Sequence, residues 1–193
     1  LGLIAAFCCL AASGLAQEAS VLPDSIFGPR SIQPGTTPKF LTAEQKARLA
    51  LKNTFGPRAL ANRAMLAGIN QWMDHPEEWE SGWSGYGKRY ASRWGRLVVR
   101  NAIQLSADVA FKTDPRYDRC NCTGFWPRTG HAMRRVLISR RDNGGEMISV
   151  SRLAGAYVTP MITDQWYPDR LNTWGHKLES GSWFLAWRGV GNM

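Results

Sequence analysis

Between residues 86 and 112 apolar side chains return at intervals of three and four: Tyr86, Tyr90, Trp94, Leu97, Val98, Leu105 and Val109. That period predicts one long amphipathic helix. Two narrower rows run along it. Gly87, Ala91 and Gly95, four residues apart, make a ridge of small side chains, the kind of strip on which a second helix backbone comes close. Arg89, Arg93, Arg96 and Arg100 follow at steps of four, three and four. Their stripe is expected to face anionic groups, with Arg134 and Arg135 adding to the same basic surface.

The rest of the pattern is helical as well. Thr42 with Gln45 three positions on reads as a capping box, starting a helix that ends by Gly56. Pro57 suits the first turn of a second helix, where Leu60, Ala64, Ala67 and Trp72 recur up to about Met73. Residues 74–85, DHPEEWESGWSG, break the period. A short basic helix is expected over 131–140, then a Gly-rich turn at 141–145. A helix from Ser149 or Ser151, bent by Pro160, and a last one capped by Asn172 and running through Trp183 and Trp187 complete the set. The fold class is therefore mainly α, a single helical domain over 41–193. A rival α+β reading places one β-hairpin around 134–152, because both flanks of the turn alternate.

The ends add a setting. Residues 1–16 carry no charge and close on Gly14-Leu15-Ala16, as in a signal peptide whose basic start is missing. The run is too short to span a bilayer. Residues 17–40 hold Pro23, Pro29, Pro34 and Pro38 among small polar residues and read as a flexible linker. The chain is expected to continue past Met193. Export to the periplasm or outer-membrane periphery of a bacterium follows as the expected localisation.

A net charge of +9 and nine tryptophans change the picture further. The charge favours anionic partners, whether lipid headgroups or envelope polysaccharide. Tryptophan favours interfaces and binding surfaces. Export argues against nucleic acid as the target.

Candidate chemistry is sparse. Cys8 and Cys9 fall in the leader, which leaves Cys120 and Cys122. With His131 these offer three metal donors, but no matching pair stands at structural-zinc spacing. C-x-C is neither the C-x-x-C-H of haem attachment nor the C-x-x-C of thiol exchange. A disulfide between the two fits an oxidising compartment. The expected reading is a loop without metal or cofactor, pinned by Pro115, Gly124 and Pro127 and anchored by Phe125 and Trp126. No nucleophile elbow, P-loop, dinucleotide or metalloprotease motif is present. The weak catalytic candidates are His131 with Asp118, and the acids Glu77, Glu78 and Glu80.

The blocks TFGPRALANRAMLAGINQW, GYGKRYASRWG, DPRY, GFWPRTGHAMRR, SRLAGAYV and WYPDRLNT resemble a group of uncharacterised exported bacterial cell-envelope proteins, over roughly residues 53–175. The resemblance implies no activity, cofactor or catalytic residue. The expected function is non-catalytic: peripheral association with an anionic membrane surface, with another envelope protein or with a second copy of the chain. The alternatives are an enzyme acting on envelope glycan or lipid, and an outer-membrane β-barrel fragment, which would need repeated alternating segments of about ten residues.

Overall fold

A computed structural model describes residues 31–32 and 40–192. The leader reading of 1–16 and most of the linker reading of 17–40 lie outside the described residues. The described chain is mainly helical, with α1 Ala43–Phe55, α2 Pro57–Trp72, α3 Trp83–Ala110, α4 Phe125–Leu137, α5 Val150–Thr163 and α6 Trp174–Gly191. No helix among these residues is long and apolar enough to cross a membrane.

Local chemistry explains the boundaries. The Thr42 hydroxyl accepts from the Gln45 amide at 3.3 Å while the Gln45 side chain accepts from the Thr42 amide at 3.0 Å. This reciprocal cap satisfies two amides that have no partner inside the helix. Gly56 ends α1 and Pro57 opens α2. Thr173, rather than Asn172, caps α6 by accepting from the His176 amide. The helical and hairpin readings of 131–152 are each partly right. Residues up to Leu137 stay in α4, and Ile138–Arg140 (β3) then pairs antiparallel with Glu146–Ile148 (β4) across the glycine turn. Phe125 and Trp126 do not anchor the cysteine loop, because they stand exposed in the first turn of α4.

The lead is partly docked. Ser31–Ile32 (β1) runs parallel to Tyr117–Asp118 (β2), and Ile32 is buried. At this point the expected free linker is instead part of the domain.

Helix α3 is the centre of the packing. It lies against α1, α2 and, most extensively, α5, while α6 closes the far side against α5 and α4. The close approaches use glycines outside the expected ridge. A Cβ on Gly181 of α6 would sit 2.9 Å from the Ala156 carbonyl oxygen of α5, and one on Gly155 of α5 would meet Gln104 of α3. A Cβ on Gly87 would meet nothing within 4 Å, and Ala91 is exposed. The Gly87, Ala91, Gly95 ridge therefore does not receive a helix, because it lies on the outward face of α3. Gly95 and Ala91 instead floor a shallow groove walled by Trp79 and Trp166.

The two kinds of glycine should respond oppositely to a methyl group. Gly87→Ala is expected to stabilise by about 0.5–1 kcal/mol through helix propensity alone. Gly181→Ala should destabilise by about 1–3 kcal/mol through overpacking. Urea denaturation of the two variants checks both signs.

Candidate functional site

The arginine stripe of α3 points inward. Arg89 is 1% exposed and organises the segment between α2 and α3. Its Nε donates to the His75 carbonyl at 3.0 Å, and Nη1 donates to the Gln71 side chain at 2.6 Å and to the Trp79 and Glu80 carbonyls at 3.0 and 2.9 Å. Nη2 reaches the Pro76 carbonyl at 2.7 Å and the Asp74 carboxylate at 3.2 Å. Asp74 and Glu80 hold left-handed backbone angles, φ 48° and 37°, which non-glycine residues adopt only where surrounding contacts insist. The guanidinium supplies those contacts.

The other three arginines of the stripe each meet a different neighbour. Arg93 donates to Asn70 of α2 at 2.7 Å. Arg96 pairs with Asp164, fully buried at the end of α5, at 2.5 Å and lies over the Tyr167 ring. Arg100 lies 3.9 Å from the centroid of Phe184 on α6. The expectation of a solvent-facing stripe is corrected: apolar and basic rows share this helix, and the exposed row is the small-residue one. Of the other two expected surface cations, Arg135 is buried between Asp118 and Glu146, at 2.8 and 2.9 Å, and only Arg134 is exposed, paired with Glu146.

Where Arg100 reaches inward, α1, α2, α3 and α6 line a partly open cavity of about 350 Å³. Its cationic lining is Lys46 from α1, Arg58 and Arg63 from α2, Arg100 from α3 and Arg188 from α6. Asn53, Asn62, Asn101 and Gln104 add amide groups, and Asp108 is the single acid. Lys46 already pairs with Asp142 at 2.7 Å. Among the described residues no carboxylate pairs with Arg63, Arg100 or Arg188. The Nε atoms of Arg63 and Arg100 and the Gln104 side-chain nitrogen are buried without a hydrogen-bond partner.

The electrostatics record the cost. Withdrawal from water, and then repulsion from Arg63, Arg96 and Arg188, push Arg100 down to about 9. Burial also lowers Arg63 and Arg188, and it raises the Asp108 carboxyl, against hydrogen bonds from Thr113 and Ser151. Guanidinium groups keep their protons in proteins. Such a penalty is relieved when an anion enters and accepts the unused N–H groups.

The catalytic candidates do not assemble into a cleft. His131 bonds to the backbone carbonyl of Asp118 at 2.8 Å, while the Asp118 carboxylate is held by Arg135 and Arg140 at 2.8 and 2.7 Å. Glu78 is paired with Arg170 on the surface. None of His131, Asp118, Glu77, Glu78 or Glu80 lines the arginine cavity. Cys120 and Cys122 are joined by a disulfide.

Sequence reasoning reached Arg100 but missed Arg63 and Arg188. A signal for Arg188 was present. It is the sole charged residue between Gly181 and Met193, in the run GSWFLAWRGVGNM, so its side chain stands out from an otherwise apolar stretch. Comparison of the chain with protein-family models, curated proteins and solved structures finds no match to any of them.

Arg89→Lys tests the inward assignment. An ammonium offers three donors in place of a five-donor fork, so several buried carbonyls lose their partner. A loss of about 3–5 kcal/mol is expected, read as a fall in the urea midpoint. A solvent-facing Arg89 would tolerate the change within about 0.5 kcal/mol.

Proposed function

We propose that this chain is a non-catalytic binding protein of the bacterial cell envelope, and that its arginine-lined cavity takes the anionic group of its partner. The observation that carries the reading is the meeting of Arg63, Arg100 and Arg188 at one cavity without a carboxylate paired to any of them among the described residues. A cavity of about 350 Å³ falls at the lower end of small-molecule sites. It suits a phosphate with a few attached carbons, as in a lipid headgroup, or one acidic residue of a polysaccharide. Arginine forks suit such groups because two parallel N–H donors match two anionic oxygens.

The outer surface supports association at an interface. Seven of the nine tryptophans are exposed, among them Trp83 at 89%, Trp126 at 79% and Trp72 at 72%. Their rings supply apolar contact with a polar edge. In this reading the cavity selects the anion and the aromatic surface supplies area. The uncharged leader at 1–16 is the support for an exported setting.

Glycerol phosphate, with glycerol as its neutral counterpart, is the probe. At a hundredfold excess over Kd, binding adds about 2.7 kcal/mol, which raises Tm by about 5–10 °C for a domain of this size. Glycerol should leave Tm unchanged. Arg100→Met keeps the apolar stem but removes the charge. Without the probe it should melt no lower than the wild type, and its response to glycerol phosphate should largely vanish. Equal responses to glycerol and glycerol phosphate would overturn the reading.

A further inference from the structure

The loop that joins α3 to α4 brings Cys120, Cys122 and His131 together: two sulfurs and an imidazole nitrogen all lie within 4.8 Å of one another, and all three residues are only partly buried. His131 sits one and a half turns into α4, whose Ala132, Arg135 and Val136 are buried. The packing of that helix therefore fixes where the ring stands. Its Nε2 is 2.8 Å from the Asp118 carbonyl oxygen. A carbonyl only accepts, so Nε2 carries a proton, and in the neutral ring Nδ1 is the nitrogen with the lone pair. A ring held by one nitrogen on a backbone carbonyl, with the other nitrogen left basic, is the usual outer support of a metal-bound histidine. The carbonyl is itself held, since Asp118 belongs to β2 and its carboxylate is pinned by Arg135 and Arg140. Cys122 lies just ahead of the α4 N-terminus at Phe125.

We propose that, once the Cys120–Cys122 disulfide is reduced, its two thiolates and His131 bind a thiophilic metal ion, with zinc as the type. Two sulfurs and one imidazole suit zinc among the divalent ions, and three protein ligands leave a fourth position to water. The chemistry balances in two steps. A dithiol passes two electrons and two protons to the disulfide, becoming a cyclic disulfide itself and leaving two cysteine thiols. The metal then displaces those two protons as both sulfurs coordinate. Oxidation reverses the first step and removes two of the three ligands, so occupancy follows the thiol redox state.

The test uses the full chain with Cys8→Ser and Cys9→Ser as the parent, called wild type here, so that Cys120 and Cys122 are its only cysteines; it is reduced with a dithiol and desalted without oxygen, then titrated with zinc and, as a spectroscopic probe, with cobalt(II). The expected result is one zinc per chain and a thiolate-to-cobalt charge-transfer band, both lost when the disulfide re-forms. Cys120→Ser with Cys122→Ser should abolish both. His131→Gln should keep the band but weaken binding at least tenfold. Circular dichroism on each variant separates a lost ligand from a lost fold, and oxidised wild type serves as a folded control without free thiols. Reduced wild type that takes up no more zinc than its own oxidised form would overturn the proposal. So would binding that survives the double cysteine substitution.

Discussion

A guanidinium moved out of water must find acceptors, and this fold is arranged around that demand. Along one face of α3 the arginines at 89, 93, 96 and 100 each reach a different neighbour. The first takes the carbonyls of the segment between α2 and α3, the second Asn70, the third Asp164 and the fourth the ring of Phe184. The central helix is thus joined to its surroundings by charged side chains where many helical domains use leucine. Apolar burial is correspondingly thin. Among the described residues Leu49, Leu97, Val136 and Leu171 are some of the few large apolar residues in the interior, and buried polar and charged residues outnumber apolar ones. Directional bonds of this kind penalise wrong partners as well as rewarding right ones, which ties the helix positions to particular acceptors.

The row is satisfied unevenly. Arg89 is saturated with acceptors and Arg96 has a carboxylate, so these two serve the fold. Arg100 has an aromatic face and other cations around it. Charge without a counter-charge inside a protein costs free energy that folding alone has no reason to retain. The gradient along one helix, from a structural guanidinium to an unpaired one, separates scaffold from candidate site.

Much of the helical layout was legible in the sequence. The Thr42 and Gln45 pair, Gly56 with Pro57, and the long period from Tyr86 onward are local signals with local causes, and the helices begin and end close to where those residues place them. What failed was the choice of inside and outside on α3. Periodicity reports which residues share a face; it does not report which face the rest of the chain covers. The usual rule that arginine lies outward gave the wrong answer, because the acceptors that bury Arg89 come from residues 71–80 and are mostly backbone carbonyls, invisible in composition. The cavity was legible only in part for the same reason. Arg63, Arg100 and Arg188 are 37 and 88 residues apart in sequence, and their convergence depends on packing that no local pattern encodes. The hairpin shows the opposite case: alternation on both sides of the glycine turn was real, but α4 claimed the residues up to Leu137.

The short pairing of Ser31–Ile32 with Tyr117–Asp118 has a mechanical side. A pull on the chain ahead of Ser31 meets the domain first at this parallel seam, which includes the bond from the Arg119 amide to the Ile32 carbonyl at 3.1 Å. Load crossing the seam enters β2 and passes through the Asp118 carboxylate to Arg135 on α4 and Arg140 on β3. The seam is short while the ion pairs behind it are partly buried. The seam is therefore the first part of the described domain that such a load would meet, ahead of the helices that line the arginine cavity.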